Sequence, residues 1–178
     1  MGNGYKLYCG NCINSEDELE KYLNENNYIN KFKNQPVFDV TTGVGWLFCS
    51  KEQLLSYNSV EKKITIYWLI NDIAIEKIVS EKINDGYIIS DNFQISTYYC
   101  KYCNSVESNF SFCLKKGKNI FVPKYRCVNC KKVLKKINIK WKIINNEIIL
   151  FNKNEILKLK CPKCKNTYFR IGDLTKWD

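Results

Sequence analysis

Histidine is missing altogether from the 178 residues, which removes imidazole as general base, triad member and metal ligand in one step. Arginine is nearly missing too. Arg126 and Arg170 stand against 26 lysines, so bidentate reading of guanine edges is poorly supplied. Only 8 glycines and 3 prolines are present, which excludes collagen-like and low-complexity classes. No stretch approaches the ~18 uncharged apolar residues of a membrane span. The opening Met1-Gly2-Asn3-Gly4-Tyr5 has no apolar run of the kind a secretory signal requires. A cytoplasmic protein with no membrane association is expected.

What is present supports a folded chain. Apolar residues make up 45% and aromatics 14%, enough for one domain or two small ones and too much for intrinsic disorder. With 22 Asn, 21 Ile and 26 Lys, the composition matches what an AT-rich genome would encode, so part of the formal +10 charge reflects codon usage. Its placement does not. Residues 1–99 carry 9 Lys and 13 acids, whereas residues 100–178 carry 19 Lys/Arg and 5 acids. Between Ser108 and Asn146 there are 11 Lys/Arg and no acid.

Ten cysteines remain, and eight of them form four Cys-x-x-Cys pairs: Cys9/Cys12, Cys100/Cys103, Cys127/Cys130 and Cys161/Cys164. In a reducing compartment such pairs hold metal more often than they form disulfides. Each pair on a tight turn aims two thiolates at one point, and two turns complete a tetrahedral S₄ set that suits Zn²⁺. Four pairs therefore predict two structural zinc ions with no ligand missing. Each Zn²⁺ on four thiolates carries a net −2, so two sites lower the formal charge from +10 to about +6. A thioredoxin-like redox pair would need a helix N-terminus behind it, whereas these pairs lie between strand-like segments. Iron is chemically allowed in an S₄ site. Rubredoxin-like knuckles, however, carry a glycine after the second cysteine, where this chain has Ile13, Asn104, Lys131 and Lys165.

Two pairings of the knuckles are open. The first joins Cys100/Cys103 to Cys127/Cys130 and leaves Cys9/Cys12 with Cys161/Cys164, and the second joins sequence neighbours. Loop entropy barely separates them, at ~0.6 kcal/mol per doubling of loop length. The first is favoured because residues 104–126 read as a β-hairpin turning at Lys115-Lys116-Gly117-Lys118. It would also make removal of either chain end unfold the other. Cys49 and Cys113, each after a phenylalanine, are expected to be buried thiols.

Local patterns fill in the frame. Residues 5–8 read as a strand running into the first knuckle. Ser15 with Glu18 forms a capping box for a helix whose stripe is Leu19, Tyr22 and Leu23. Strands are expected at 37–40 and 44–49, and Ser50 is expected to cap a short helix through Leu55. Residues 64–70 read as strand by propensity, while a helix also fits the run and periodicity cannot arbitrate. A helix is predicted over 71–85, with Asp72 at its start and Gly86 as its stop. Beyond it the period becomes two, with strands at 93–99, 106–113, 119–126, 133–140, 141–145, 147–151 and 167–171. The predicted class is α+β: a small mixed acidic part over 1–90 with two or three helices and the first knuckle, then a basic β-rich zinc-ribbon part over 91–178.

Four segments carry a resemblance: Tyr5-Lys6-Leu7-Tyr8-Cys9-Gly10-Asn11-Cys12, Thr42-Gly43-Val44-Gly45-Trp46-Leu47-Phe48, Tyr98-Tyr99-Cys100 and Leu159-Lys160-Cys161-Pro162-Lys163-Cys164. Together they resemble an uncharacterised group of bacterial zinc-ribbon proteins, in which a first knuckle is followed by a Gly-x-Gly-Met-like strand and three more knuckles. The resemblance implies a fold and no assigned activity. The chain departs from the group at Trp46, in its missing post-knuckle glycines and in an acidic helix inserted after the first knuckle.

The basic segment sets Lys115, Lys116, Lys118, Lys124, Arg126, Lys131, Lys132, Lys135 and Lys136 among aromatics that include Tyr125 and Trp141. Lysines neutralise phosphates and an exposed ring stacks a base, so these residues are the candidate surface for an RNA or DNA backbone, bound without sequence specificity. No catalytic constellation is found. A transcript-cleaving ribbon needs adjacent acids at its tip, and Glu107 is the one acid between Cys103 and Cys127. Gly43-Val44-Gly45 lacks the setting of a phosphate loop. The chain therefore reads as a non-enzyme with no small-molecule substrate. It is a zinc-stabilised nucleic-acid-binding module or, alternatively, a protein-interaction module, such as a phage- or mobile-element-encoded inhibitor of an RNA-guided nuclease or other nucleoprotein (anti-CRISPR-like). A ligand-free structural ribbon is the third reading.

Overall fold

The computed structural model describes residues 2–25, 34–43, 54–58, 63–64, 66, 70, 72–145, 147–153 and 155–177. The expected strand at 44–49, Cys49, the Ser50 cap and most of 64–70 lie outside the described residues.

The expected α+β class is corrected. Strand accounts for 45% and helix for 17%, and only two helices, α1 (Glu16–Glu25) and α2 (Ile73–Asn84), are complete among the described residues. The acidic first half is not a separate mixed layer of helices, because its strands are built into the main sheet. Local helix signals there were real, but alternating strand residues such as Leu7 and Val40 find their burial across the chain.

The main sheet has six strands. Its path runs β10 (Lys135–Lys136), β6 (Gln94–Cys100), β2 (Val37–Gly43), β1 (Gly2–Cys9) and β14 (Phe169–Trp177), with β7 (Ser105–Ser111) pairing β6 off that path. All pairs are antiparallel. A second sheet is the meander β11 (Ile139–Ile144), β12 (Glu147–Asn152) and β13 (Glu155–Leu157). A third joins β5 (Ile88–Ile89), β8 (Leu114–Lys116) and β9 (Asn119–Phe121), and β3 (Tyr57–Asn58) pairs β4 (Lys63–Ile64). The ribbon hairpin expected over 104–126 is therefore divided. β7 pairs β6 along its whole length, and the Lys115–Lys118 turn closes only the short β8–β9 hairpin, with Gly117 at φ 58°.

Both helices begin as their sequences dictate. The Ser15 hydroxyl accepts the Glu18 backbone N–H at 3.1 Å, while the Glu18 carboxylate accepts from Asn14 N at 2.6 Å, one residue before the expected position. Leu19 and Leu23 are buried against Tyr8, Ile13 and Val37, so α1 covers one face of β1–β2. The Asp72 carboxylate accepts from Ala74 N and Ile75 N, and α2 buries Ile75 and Val79.

Two larger cores each include cysteines. One gathers Val79, Ile89, Phe110, Leu114 and Tyr125 around Cys100 and Cys127. The other gathers Leu7, Phe38, Val40, Leu150 and Phe169 around Cys9 and Cys161. Cysteine group and hydrophobic core are thus the same object on each side.

Candidate metal centres and basic surface

Strand register brings the knuckles together. β1 ends at Cys9, which faces Phe169 at the start of β14, so the turn carrying Cys161 and Cys164 arrives beside Cys9 and Cys12. β6 ends at Cys100 and β7 begins at Ser105, which makes Cys100–Cys103 the turn of a hairpin. Cys127–Cys130 closes on it from the side, with Cys127 N donating to Lys132 O at 2.8 Å. Tyr8 faces Val37 while Gly43 faces Ile95, so β1 and β6 run in the same direction and both knuckle clusters lie at one end of the main sheet. Lys160 N donates to Asn104 O at 3.1 Å and Asn34 N to Asn129 Oδ1 at 2.8 Å, fastening the two clusters to each other and to the N-terminal half.

The result is the first of the two pairings: Cys9, Cys12, Cys161 and Cys164 in one group, Cys100, Cys103, Cys127 and Cys130 in the other, with all four sulfurs of each within 4.8 Å of one another. A tetrahedron with ~2.3 Å metal–sulfur bonds has edges of about 3.8 Å. The sulfurs stand 3.5 Å apart for Cys9–Cys164, 3.9 Å for Cys12–Cys161, 3.3 Å for Cys100–Cys130 and 3.4 Å for Cys103–Cys127. That donor set fits a tetrahedral, thiophilic cation, and each group could hold one metal ion.

The sulfur environments differ. Burial pushes the Cys9 and Cys100 thiols up to about 11 and raises Cys12 and Cys127 as well. At the exposed rim of the first group, the Asn166 backbone N–H is the main cause that brings Cys164 down to about 7. In the second group the buried Ser105 hydroxyl lies 3.0 Å from Cys103 Sγ and 3.6 Å from Cys127 Sγ. Glu107 accepts the Val128 N–H at 2.9 Å, so the one acid of this region braces the knuckle.

Three of the four post-knuckle residues take the left-handed backbone without being glycine: Asn104 at φ 54°, Lys131 at 62° and Lys165 at 63°. Missing glycines therefore say nothing against iron, since the knuckle turn forms here regardless. Cys113 is half-buried rather than buried, and its thiol donates to Ser90 Oγ at 2.8 Å.

The candidate binding residues separate into groups. Lys115, Lys116 and Lys118 are exposed on the β8–β9 hairpin, where Lys116 Nζ donates to Asp85 O at 2.5 Å. Lys124 and Arg126 are exposed, and Arg126 donates to Lys131 O at 3.2 Å. Lys131, Lys132, Lys135 and Lys136 run from the second cysteine group onto β10, opposite Tyr99 and Tyr98. Lys135, Lys136 and Lys153 line a cleft of about 650 Å³ with Asn138, Asn152 and Glu155. Burial lowers the Lys136 pKa, and its ammonium donates to Ser111 Oγ at 2.7 Å. Trp141 is 43% exposed on β11. Tyr125 is corrected from surface to core: it is 1% exposed, and its hydroxyl donates to Phe110 O at 2.5 Å. Tyr102, inside the Cys100–Cys103 knuckle and not among the expected binding residues, is 60% exposed.

Among the described residues, no helix is long and apolar enough to cross a membrane. No family model, curated protein or solved structure matches the chain, so what stands of the expected resemblance is two groups of four cysteines that could hold metal.

Proposed function

We propose that the protein is a non-catalytic module in which two tetrathiolate zinc ions hold a lysine-rich end that grips the phosphate backbone of RNA or single-stranded DNA without reading its sequence. Zinc is the reading that suits an all-sulfur, tetrahedral, partly buried donor set in a reducing cytoplasm. The observation that carries the binding reading is the run Lys131, Lys132, Lys135 and Lys136, exposed and continuous from a cysteine group to a lysine-lined cleft. Rigid placement matters because the backbone that carries these lysines does not have to be ordered when phosphates arrive.

The test pairs elemental analysis of the purified protein with the anisotropy of a labelled oligouridine. Two zinc equivalents are expected. With about four phosphate contacts on a single strand, affinity should fall roughly 50-fold between about 50 and about 200 mM salt. Bound iron, or an affinity indifferent to salt, would refute the corresponding half of the proposal.

A second reading, a protein-interaction module such as an inhibitor of an RNA-guided nuclease, is supported by one feature. The β11–β13 meander leaves Ile143 62% and Ile156 59% exposed, apolar surface that a protein partner would cover. Co-purification with a nuclease, without affinity for free RNA, would favour it.

A further inference from the structure

Tyr102 sits in the Cys100–Cys103 turn and is 60% exposed beside a metal centre. Two ammonium groups lie over its ring, Lys101 Nζ at 5.2 Å and Lys132 Nζ at 5.9 Å from the centroid. Of the two exposed aromatic rings among the described residues, Tyr102 at 60% and Trp141 at 43%, Tyr102 stands further into solvent. The ring is carried on the four-residue Cys100–Cys103 turn, whose two cysteines belong to one group, and the turn is closed by the Tyr99–Asn104 hydrogen bond at 2.6 Å. Its position is therefore fixed while its faces remain reachable.

We infer that Tyr102 is the stacking platform for one base of a single-stranded nucleic acid, with Lys101 and Lys132 taking the phosphates on either side of it. This rests on the proposed backbone binding and adds a preference for unpaired strands. A base has a π-face for the ring and its flanking phosphates have a charge for each ammonium, so both lysines exchange a cation–π contact for a stronger ionic one. From Lys132 the positive strip continues through Lys135, opposite Tyr99, to Lys136 at the cleft, which gives the strand a direction away from Tyr102. A duplex keeps its bases stacked on each other and offers nothing to the ring.

The experiment measures the affinity of short labelled oligouridine, oligothymidine and a duplex for the zinc-loaded full chain and for Tyr102→Ala, Tyr102→Leu and Tyr102→Phe. Both single strands should bind more tightly than the duplex. Tyr102→Ala and Tyr102→Leu should each lose about 5-fold to about 150-fold, with an unchanged salt slope, while Tyr102→Phe stays within about twofold. Lys132→Ala should instead lower the salt slope by about one. Metal content and thermal midpoint of each variant establish that it is folded, and the leucine variant preserves bulk if alanine disturbs the turn. Wild-type binding that is unaffected by both variants, or equal for duplex and single strand, overturns the platform and leaves the backbone-binding proposal standing. Absence of binding to every probe overturns both.

Discussion

Cys9 and Cys164 are 155 residues apart in the chain and their sulfurs are 3.5 Å apart in space. The first metal group is therefore closed only by the pairing of β1 with β14, and the β1–β14 ladder is in turn anchored at one end by that group. Cys164→Ser should remove one metal equivalent while the Cys100/Cys103/Cys127/Cys130 group keeps its own. Amide exchange should rise in β1 and β14 before it rises in β6 and β7. Loss of both metals from this single variant would show that the two centres are one cooperative unit.

Metal uptake should expel protons. The Cys9 and Cys100 thiols, pushed up to about 11 by burial, are protonated at neutral pH in the apo state, and a thiolate is what binds the cation. The sign follows directly: lower pH favours the protonated sulfur and so weakens metal binding. Adding zinc to apo protein in weak buffer should acidify the solution, read by a pH-indicator dye. No colour change at full metal occupancy would contradict it.

The left-handed lysines at the knuckles predict a gain. A non-glycine residue in that region costs ~1–2 kcal/mol, and glycine returns part of the difference as chain entropy. Lys165→Gly, at φ 63°, should raise stability by about 0.5–1 kcal/mol, or roughly 1–4 °C in Tm for a chain of this size. A fall in the thermal midpoint would mean that the lysine side chain contributes more than its backbone loses.

At Gly172 the opposite is expected. A Cβ there would come within 2.5 Å of Leu19 Cδ2 and 3.0 Å of Tyr8 Cε1, both from side chains only 2% exposed. Gly172→Ala must push α1 off the sheet or bend β14, at a cost of ~1–3 kcal/mol. A denaturant midpoint equal to wild type would show that α1 is held less firmly than its burial implies.

Cysteine spacing and helix caps were legible because they are local physics. Two thiolates on one turn converge whatever surrounds them, and Ser15 and Asp72 carry their capping acceptors with them. Strand partnership was not legible. The β1–β14 and β1–β2 registers depend on residues 29 to 175 positions apart, and nothing in Leu7 or Val40 says which strand will cover it. That is why the first half, rich in local helix signals, read as a mixed part while its strands belong to the main sheet. Tyr125 misled for the same reason, and nothing local marked Tyr102. Identical side chains next to lysines end up 1% and 60% exposed according to whether the backbone points them at Phe110 or away from the knuckle.

The wide separation of the two halves of the first metal group bears on synthesis. A ribosome adds ~5–20 residues per second, so about 8–30 s pass between the emergence of Cys9 and that of Cys164. The second group, spanning Cys100 to Cys130, needs only a fifth of that wait. Throughout the interval the nascent N-terminal thiols have no final partners and stand open to oxidants and stray cations. The cysteines thus need reducing conditions during translation more than at any time after release.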